Sequence, residues 1–419
     1  MKQKTILIAF ISLVLFSCTR DITTGEVKVP DPIPEVNVAD DGTVNKVKNY
    51  WLYYEWQVIP DSIIEKEAKR RDFVVLHAWK HPLIAKFKAA NPNIKVYFYK
   101  NLSAAIDSYD FATTDPDRQD TLTSTGVYYQ YAERNHPEWF LLDDNGNRMN
   151  FSGWTYLTQM DVGNPAYQDY WASNVVAEAV RFGWDGIFID DVLFSPNEHH
   201  TDIYPAKYKT VESFQAGYKQ ILEKIQRTAK AAGKTIIGNM ASAKGTQGYW
   251  DSYMPYMDGG FDEWWVVNGA GVSHYVGGDE WKIHLAEPEF NESQNKIAAV
   301  QAHSAPNDTQ GFYYALATYW LVNDGNTYFK ETEGRDKYGL PVPWRSALDW
   351  NLGKAGGKYY TFGTNFPIYR RDFAKALVLV NPTNALVTVK LSKPYLNERN
   401  EQIEYVALAA KSGAILRKI

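Results

Sequence analysis

The chain has 419 residues, of which 45% are hydrophobic and 22% are charged, so it can form one large globular domain and a small second one. Its formal net charge of −5 argues against a nucleic-acid partner, because phosphate binding requires an excess of basic residues. Aromatic residues make up 15% of the chain, which suits both a core and a surface on which sugars stack.

The first eighteen residues have the features of a bacterial lipoprotein signal. Two lysines, Lys2 and Lys4, precede an apolar run that is too short to span a bilayer as a helix. The run ends in the sequence LFSC, which resembles a lipoprotein box, and Cys18 is the only cysteine of the chain. Residues 1–18 are therefore predicted to be a signal peptide whose Cys18 becomes a lipid anchor in the bacterial cell envelope. The alternative is an ordinary cleaved signal with an incidental cysteine.

Residues 19–44 are predicted to be a flexible tether between the lipid and the folded domain. The stretch is polar and contains Pro30, Pro32 and Pro34, so it offers little apolar surface to bury. Folded structure is expected from about Asn45.

Short strand patterns alternate with helical patterns between residues 45 and 365. The predicted strands are Tyr50–Trp56, Phe73–Trp79, Lys95–Lys100, Gly186–Val192, Thr235–Met240, Gly260–Val267, Ile297–His303 and Thr327–Lys330. The predicted helices are Asp61–Arg71, Leu83–Ala90, Pro165–Phe182, Val211–Ala232, Asn291–Lys296 and Tyr313–Val322. Eight strands in this alternation predict an α/β fold of the (β/α)₈ TIM-barrel type. A doubly wound sheet would alternate in the same way, but no G-x-G-x-x-G sequence follows a strand.

Two further patterns concern turns and the C-terminal residues. An Asn-Gly pair within Trp139–Met149 predicts a hairpin. Residues 366–419 are predicted to form a small antiparallel β-sandwich domain that packs one hydrophobic face on the barrel. Its predicted strands are Ala376–Val380, Leu386–Leu391, Tyr405–Leu408 and Ala414–Leu416.

The active site of a TIM barrel lies at the C-terminal ends of its strands, and these positions carry many carboxylates and aromatic rings. Glycosidic cleavage requires two carboxyl groups that flank the scissile bond. The predicted catalytic pair is Asp190 and Glu263, with Asp191, Glu55 and Asp262 as supporting or alternative carboxylates. The predicted substrate-binding residues are Tyr54, Trp56, His77, Trp79, Asn239, Trp264, Trp265 and His303.

Asp190 is selected by strand alternation. In the predicted strand Gly186–Val192, Phe188 and Asp190 share one face, and Ile187 and Ile189 share the other with Asp191. If the isoleucines pack against helices, Asp190 points to the barrel mouth and Asp191 supports it from outside. The alternative is that the two aspartates only cap the next turn.

Glu263 is selected as the partner because it lies among Phe261, Trp264 and Trp265, where loss of water favours a protonated general acid. The alternative is a rim glutamate paired with a basic residue. No metal site and no cofactor are predicted, because the sequence lacks H-x-H, H-E-x-x-H and cysteine clusters, and no G-x-S-x-G elbow predicts an esterase.

The sequence GWDGIFIDD at Gly183–Asp191 resembles a strand of hypothetical TIM-barrel glycoside hydrolases related loosely to α-amylase and polygalactosaminidase-like barrels. Tyr129–Met149 and Met160–Trp171 are similar to lipoproteins of this group, and Leu377–Thr383 and Leu408–Leu416 to the β-sandwich that follows such barrels. The resemblance covers about Tyr50 to Ile419.

What the resemblance implies is a glycosidase in which Asp190 is the nucleophile or is otherwise essential. Amylases place their acid glutamate at the end of strand five, where this chain has Asn239, and this difference favours Glu263 as the acid. The expected function is hydrolysis of a polysaccharide or oligosaccharide. The alternatives are a non-catalytic surface glycan-binding lipoprotein and, third, a barrel hydrolase for an amide or ester bond.

Overall fold

In the part of the chain that the structure describes, eight parallel strands form a barrel. The structure is a computed structural model that describes residues 27–28, 32–107, 122–201, 203–240, 244–269, 273–305, 307–333, 338–363 and 367–419. The barrel strands β1 to β8 are Tyr50–Tyr53, Phe73–His77, Lys95–Asn101, Gly186–Asp190, Thr235–Asn239, Gly259–Asp262, Ile297–Ser304 and Thr327–Glu333. They follow one another in the sheet as in the chain, and a parallel bridge between Asn49 and Phe329 closes the ring. The predicted TIM barrel is confirmed.

Alternate residues of the strands fill the inside and the outside of the barrel. Phe73, Phe188 and Phe261 belong to the cluster that fills the interior. Ile187 and Ile189 lie in the larger cluster between the strands and the surrounding helices. The alternation predicted for β4 is therefore confirmed, and Asp190 ends this strand on the side of Phe188.

Helices surround the barrel, and several begin and end where the sequence predicts. Helices α1 to α8 are Asp61–Ala68, Leu83–Ala90, Tyr129–Asn135, Pro165–Phe182, Val211–Ala231, Tyr249–Tyr253, Gly278–Ser293 and Thr309–Val322. Helix α4 begins behind Asn164, whose side chain accepts hydrogen bonds from the Ala166 and Tyr167 amides, and ends at Gly183 with φ +77°. The predicted bounds of α2 and α4 are confirmed.

Two predicted elements differ from the structure in the region of β6. The strand expected over Gly260–Val267 ends at Asp262, and Val267–Asn268 pairs instead with His274–Tyr275. The helix expected at Asn291–Lys296 is wrong, because α7 lies earlier and only its last turn reaches Ser293. Pro288 lies inside α7, and an internal proline is normally read as the end of a helix.

A long insertion between β3 and α4 covers one side of the barrel mouth. It contains a three-stranded antiparallel sheet of Ala104–Ile106, Asn150–Phe151 and Trp154–Gln159. The turn predicted at Asn145-Gly146 is present, with Gly146 at φ +82° and an antiparallel bridge between Leu142 and Arg148.

The C-terminal residues form a second, mainly antiparallel sheet. Its strands β9 to β14 are Tyr360–Phe362, Ile368–Asp372, Ala376–Asn381, Val387–Leu396, Gln402–Leu408 and Ser412–Lys418. The sheet takes its first strand from Tyr360, slightly ahead of the predicted boundary at residue 366. One face packs on α8 in a cluster that contains Trp320 and Val378, and the other carries its own cluster around Leu379.

The stretch predicted as a tether is in contact with this sheet for part of its length. Val27–Lys28 pairs in parallel with Val387–Thr388, and Ile33 is buried against Leu391. The expectation of a free tether over residues 19–44 is therefore corrected here. Cys18 and the predicted signal, residues 1–18, lie outside the described residues. Among the helices of the described residues, none has the length and apolar character needed to cross a membrane.

Candidate active site

A cavity of about 740 Å³ lies at the C-terminal ends of the barrel strands, within the size range of small-molecule sites. Among the described residues, its wall contains four carboxylates, those of Asp190, Asp191, Glu198 and Glu263, and one lysine, Lys244. Aromatic side chains form much of the rest of the wall. The site therefore combines charge at its floor with apolar ring faces above it.

Asp190 is held by donors from the two strands beside β4. The Tyr99 hydroxyl on β3 donates to Oδ2, and the Asn239 amide on β5 donates to Oδ1 at 2.8 Å. Parallel strands end at one edge of the barrel, which is why residues so distant in sequence meet here.

The Asn239 amide also binds Glu263, with 3.1 Å between Nδ2 and Oε2. The two N–H bonds of an amide point about 120° apart, so acceptors at 2.8 Å and 3.1 Å from Nδ2 lie about 5 Å from each other. Asn239 thus fixes the separation of Asp190 and Glu263. Glu263 is held further by the Tyr338 hydroxyl on Oε1 and by Lys244, whose Nζ is 3.9 Å from Oε2.

Asp191 lies in the same cavity. Its Oδ2 accepts a 2.6 Å bond from Asn101, and its Oδ1 is 3.1 Å from His199 Nε2. Burial alone would lower the pKa of His199, but the hydrogen bond and charge of Asp191 outweigh it and raise that pKa. The pair therefore favours a charged imidazolium beside a carboxylate.

The three neighbouring carboxylates affect protonation at the floor of the cavity. Burial and the charges of Asp191 and Glu263 raise the pKa of Asp190 to about 7, although the hydrogen bonds from Tyr99 and Asn239 lower it. Near neutral pH the group is therefore close to half protonated. In a carboxyl pair of this kind a proton can pass between the two groups, so that one is protonated while the other is ionised.

Three stacked rings support the entrance of the cavity. Trp79 lies between Trp56 and His77, with ring centroids 4.4 Å and 4.1 Å away. Trp56 is 59% exposed and lines the cavity. Trp154 and Tyr156, from the insertion after β3, line the same cavity and are also partly exposed.

The profile of hypothetical glycosyl hydrolase family 15 matches residues 88–377, which is more than half of the chain. The chain belongs to this family. The matched region contains β4, β5 and β6 with Asp190, Asn239 and Glu263, and family membership supports glycoside hydrolysis as the class of reaction. Comparison with curated protein sequences gives no match.

Solved structures resemble this family member in fold. A noncanonic maltogenic α-amylase from Thermotoga neapolitana is similar with a TM-score of 0.50 and 11% identity, over 88% of this chain and 96% of the other. An Anoxybacillus α-amylase is similar with a TM-score of 0.50 and 8% identity, over 88% and 97% of the two chains. At these identities the likeness concerns the barrel architecture alone.

Eight predicted site residues of this glycosyl hydrolase family member lie together in the cavity wall: Tyr54, Trp56, His77, Asp190, Asp191, Asn239, Glu263 and Trp264. Burial lowers the pKa of His77 to about 3, so its ring is neutral beside Trp79. The expectation that Asp191 lies outside the barrel mouth is corrected, because Asp191 lines the cavity. It follows the last residue of β4 with φ +53°, and this turn brings its side chain back to the cavity.

The other five predicted residues are not in the cavity wall. Trp265 is fully buried, and its indole donates to the His284 carbonyl at 2.8 Å. His303 is buried beneath Trp264, with ring centroids 3.9 Å apart. Glu55 lies against Gly339 instead of the cavity. Trp79 supports Trp56 from below, and Asp262 is buried.

Asp262 belongs to a buried cluster with His284 and Glu287, a set of side chains of the type that can hold a metal ion. The contacts are accounted for by hydrogen bonding: His284 Nδ1 is 2.6 Å from Asp262 Oδ2, and the Gly245 amide donates to Glu287 at 2.6 Å. Burial and the charge of Asp262 raise the pKa of Glu287 well above its ordinary value. A protonated Glu287 can thus share a proton with Asp262, directly behind Glu263.

Several cavity residues are not among the sequence predictions, above all Tyr99, Tyr338, Lys244 and His199. Tyr99 could have been found, because it alternates inward on β3 two residues after Tyr97. The others lie on loops after β4, β5 and β8, where no periodic pattern indicates the direction of a side chain.

Proposed function

We propose that this protein is a retaining glycosidase in which Asp190 is the nucleophile and Glu263 is the acid and base. The observation that carries the proposal is that one amide nitrogen, Asn239 Nδ2, binds both carboxylates, at 2.8 Å and 3.1 Å, for which ideal amide geometry gives a separation of about 5 Å. Retaining glycosidases separate their two carboxyl groups by about 5–5.5 Å, whereas inverting enzymes need about 6.5–9.5 Å for a water molecule.

In the first step an oxygen of Asp190 attacks the anomeric carbon while Glu263 gives its proton to the departing glycosidic oxygen. In the second step Glu263 takes a proton from water, which attacks the anomeric carbon and releases Asp190. Asp190 suits the first role because donors on β3 and β5 hold both of its oxygens. Glu263 suits the second because it follows β6 on the cavity wall, where 19% of its side chain is exposed to the solvent that supplies the water.

The substrate class that the cavity fits is a polysaccharide or oligosaccharide. Trp56, Trp154 and Tyr156 line the cavity and expose aromatic surface of the kind on which sugars stack. Among the described residues, the Tyr54 hydroxyl and the Asn239 Oδ1 atom are buried without a hydrogen-bond partner. Both residues line the cavity, so these unsatisfied polar groups belong to the site.

The test is a panel of glycans incubated with the full chain and with the variants Asp190→Asn and Glu263→Gln. The wild-type protein is expected to release product of retained anomeric configuration, measured by NMR, and each variant to lose at least about a hundredfold in kcat/KM. Glu55→Gln is the matched control, since Glu55 lies outside the cavity. Full activity in both variants would overturn the assignment.

Azide distinguishes the two roles. With Asp190→Gly, azide can replace the missing nucleophile and give a glycosyl azide of inverted configuration. With Glu263→Ala, azide can attack the glycosyl-enzyme and give a product of retained configuration. Micromolar glycan binding without turnover in the wild-type protein would favour the non-catalytic glycan-binding alternative instead.

We propose from the sequence that Cys18 is lipidated and anchors the protein in the bacterial cell envelope. The basic residues, the short apolar run and the lone cysteine support this proposal. The wild-type protein is expected in the membrane fraction with an acylated N-terminus detected by mass spectrometry, whereas Cys18→Ala is expected in the soluble fraction.

A further inference from the structure

A chain of buried hydrogen bonds leads from the end of β8 to Glu263. Lys330 Nζ lies 2.9 Å from Gln301 Oε1, and Gln301 Nε2 lies 3.3 Å from the Tyr338 hydroxyl. The Tyr338 hydroxyl is in turn bonded to Glu263 Oε1. Gln301 is fully buried on β7, and neither it nor Lys330 lines the cavity.

The direction of every bond in this chain is fixed by the chemistry of the groups. A lysine amine donates, so the oxygen of the Gln301 amide faces Lys330 and its nitrogen faces Tyr338. The two N–H bonds of that nitrogen point to Tyr338 and to His303 Nε2, which lies 2.8 Å away. The Tyr338 oxygen therefore accepts from Gln301, and its only proton is left for Glu263.

The pKa shifts of Tyr338 and Lys330 agree with these bond directions. Burial and the charge of Glu263 raise the pKa of Tyr338 well above its ordinary value, so it remains a hydroxyl. Burial lowers the pKa of Lys330 to about 7, and the amine can donate in either protonation state.

We infer that Gln301, oriented by Lys330, is a positioning residue that commits the Tyr338 proton to Oε1 of Glu263. The inference rests on the role proposed for Glu263. Oε1 accepts from Tyr338 and Oε2 accepts from Asn239, so each oxygen of Glu263 has a donor, and the donor on Oε1 is the one that Gln301 orients. Gln301 thus acts on the acid through Tyr338, by stabilising the carboxylate form of Glu263.

The test removes each link and follows the pH profile of kcat/KM. In Tyr338→Phe the carboxylate form of Glu263 loses a donor, and in Gln301→Met that donor loses the group that orients it. The limb that depends on Glu263 is therefore expected to move to higher pH, by about one unit in Tyr338→Phe and by less in Gln301→Met, with KM unchanged in Gln301→Met. Because Gln301 acts through Tyr338, Gln301→Met is expected to add nothing in the Tyr338→Phe background. Gln168→Met, at a buried glutamine of α4 that bonds to the Val162 carbonyl, is the matched control and leaves the limb in place.

The charged groups that face this chain of hydrogen bonds are retained in all variants, so they contribute equally to every pH profile. Among the described residues, they are Asp190 and Lys244 around Glu263, and Arg71 and Glu331 around Lys330. An unmoved limb in both single variants, or equal shifts by Gln301→Met with and without Tyr338, would overturn the inference.

A second readout separates this inference from the proposed function. The pH dependence of the unfolding temperature is expected to differ between wild type and Gln301→Met, and the difference should vanish in the Glu263→Gln background. If no glycan is hydrolysed but this difference is present and vanishes as described, the proposed function is wrong and the hydrogen-bond chain stands. If hydrolysis depends on Glu263 but the difference persists without it, the inference is wrong and the function stands.

Discussion

Asp190 has two acidic neighbours in the cavity, and the structure assigns them different partners. Glu263 shares the Asn239 amide with Asp190, whereas Asp191 is bound by Asn101 and His199. Their charges add to burial and raise the pKa of Asp190 to about 7. Asp190 therefore sets one limb of the pH profile close to neutrality.

Removing the charge of Asp191 is expected to move that limb. In Asp191→Asn the repulsion between Asp191 and Asp190 is lost, so Asp190 ionises at lower pH and the limb near pH 7 moves in that direction. The measurement is kcat/KM against pH on the best glycan substrate. Glu55→Gln, which removes a carboxylate outside the cavity, should leave the limb unchanged. A shift to higher pH in Asp191→Asn would contradict the account.

The same pKa predicts a gain in stability when Asp190 cannot ionise. Since the pKa of Asp190 is raised from 3.8 to about 7 on folding, the folded state binds more protons than the unfolded state between these values, and stability falls as pH rises through them. Asp190→Asn is thus expected to unfold at a higher temperature than wild type at pH 8, with a difference that shrinks toward pH 5. Asp169→Asn, at a 71% exposed position, is the control. A lower unfolding temperature at pH 8 would count against the raised pKa.

The sequence predicts the direction of a side chain well only where the residue lies in a regular strand or helix. Alternation in β4 correctly gives the side of Asp190, because Ile187 and Ile189 need an apolar face. It fails one residue later at Asp191, where φ turns positive. Tyr338 and Lys244 are missed because loop conformation depends on contacts that no local pattern specifies.

Two neighbouring loops cooperate to build the aromatic entrance of the cavity. Trp56 follows β1, and Trp79 lies in the 3₁₀ turn Ala78–Lys80 after β2. Because β1 and β2 are adjacent and parallel, these loops emerge side by side and the rings stack nearly flat, with planes 12° apart. The support of Trp79 keeps the exposed face of Trp56 in one orientation, which reduces the entropy lost when a ligand stacks on it.

Trp56→Ala is therefore expected to weaken substrate binding without affecting the chemical step. KM should rise about fivefold to tenfold, as apolar contact worth roughly 1 kcal/mol is lost, and kcat should stay close to wild type. Tyr405→Ala, at an exposed aromatic on β13, is the matched control and should leave both constants unchanged. A fall in kcat with constant KM would mean that Trp56 positions the catalytic groups instead.

The bounds of a helix are predicted best where its terminal residues favour a helix start or a helix end. Helix α4 has Asn164 before it, proline as its first residue and Gly183 after it, and each of these residues favours the observed position. Helix α7 lacks a side-chain cap and contains Pro288, and its position was missed. Its packing against β7 and the barrel, rather than local sequence, stabilises it.

The barrel and the C-terminal sheet share α8. Every residue of this helix from Tyr314 to Val322 is buried, which requires a cover on its outer side as well as the barrel on its inner side. The sheet provides that cover through Val378 and Ile415. The eightfold alternation predicted the barrel, but the extent to which the two parts share a core follows only from the three-dimensional packing.

Arg371 on β10 links the two parts through the end of α8. Its guanidinium is buried and donates through Nη1 to the carbonyls of Trp320, Leu321 and Asn323 at 3.1 Å, 2.9 Å and 3.0 Å. These are carbonyls at a helix C-terminus that have no partner within the helix. Arg371→Met leaves them buried without a donor, and it is expected to cost about 3 kcal/mol or more of unfolding free energy.

Because the shared core joins the barrel to the sheet, the whole folded chain is expected to unfold in one calorimetric transition, which Arg371→Met shifts to lower temperature without splitting. Arg399→Met, at a 75% exposed arginine in the turn between β12 and β13, should leave the transition in place. A chain that ends at residue 363 would expose the outer face of α8, and it is expected to aggregate or to lose its near-UV circular dichroism. Two separate transitions in the wild-type protein, or a soluble and cooperatively folded truncated barrel, would show that α8 does not depend on the sheet.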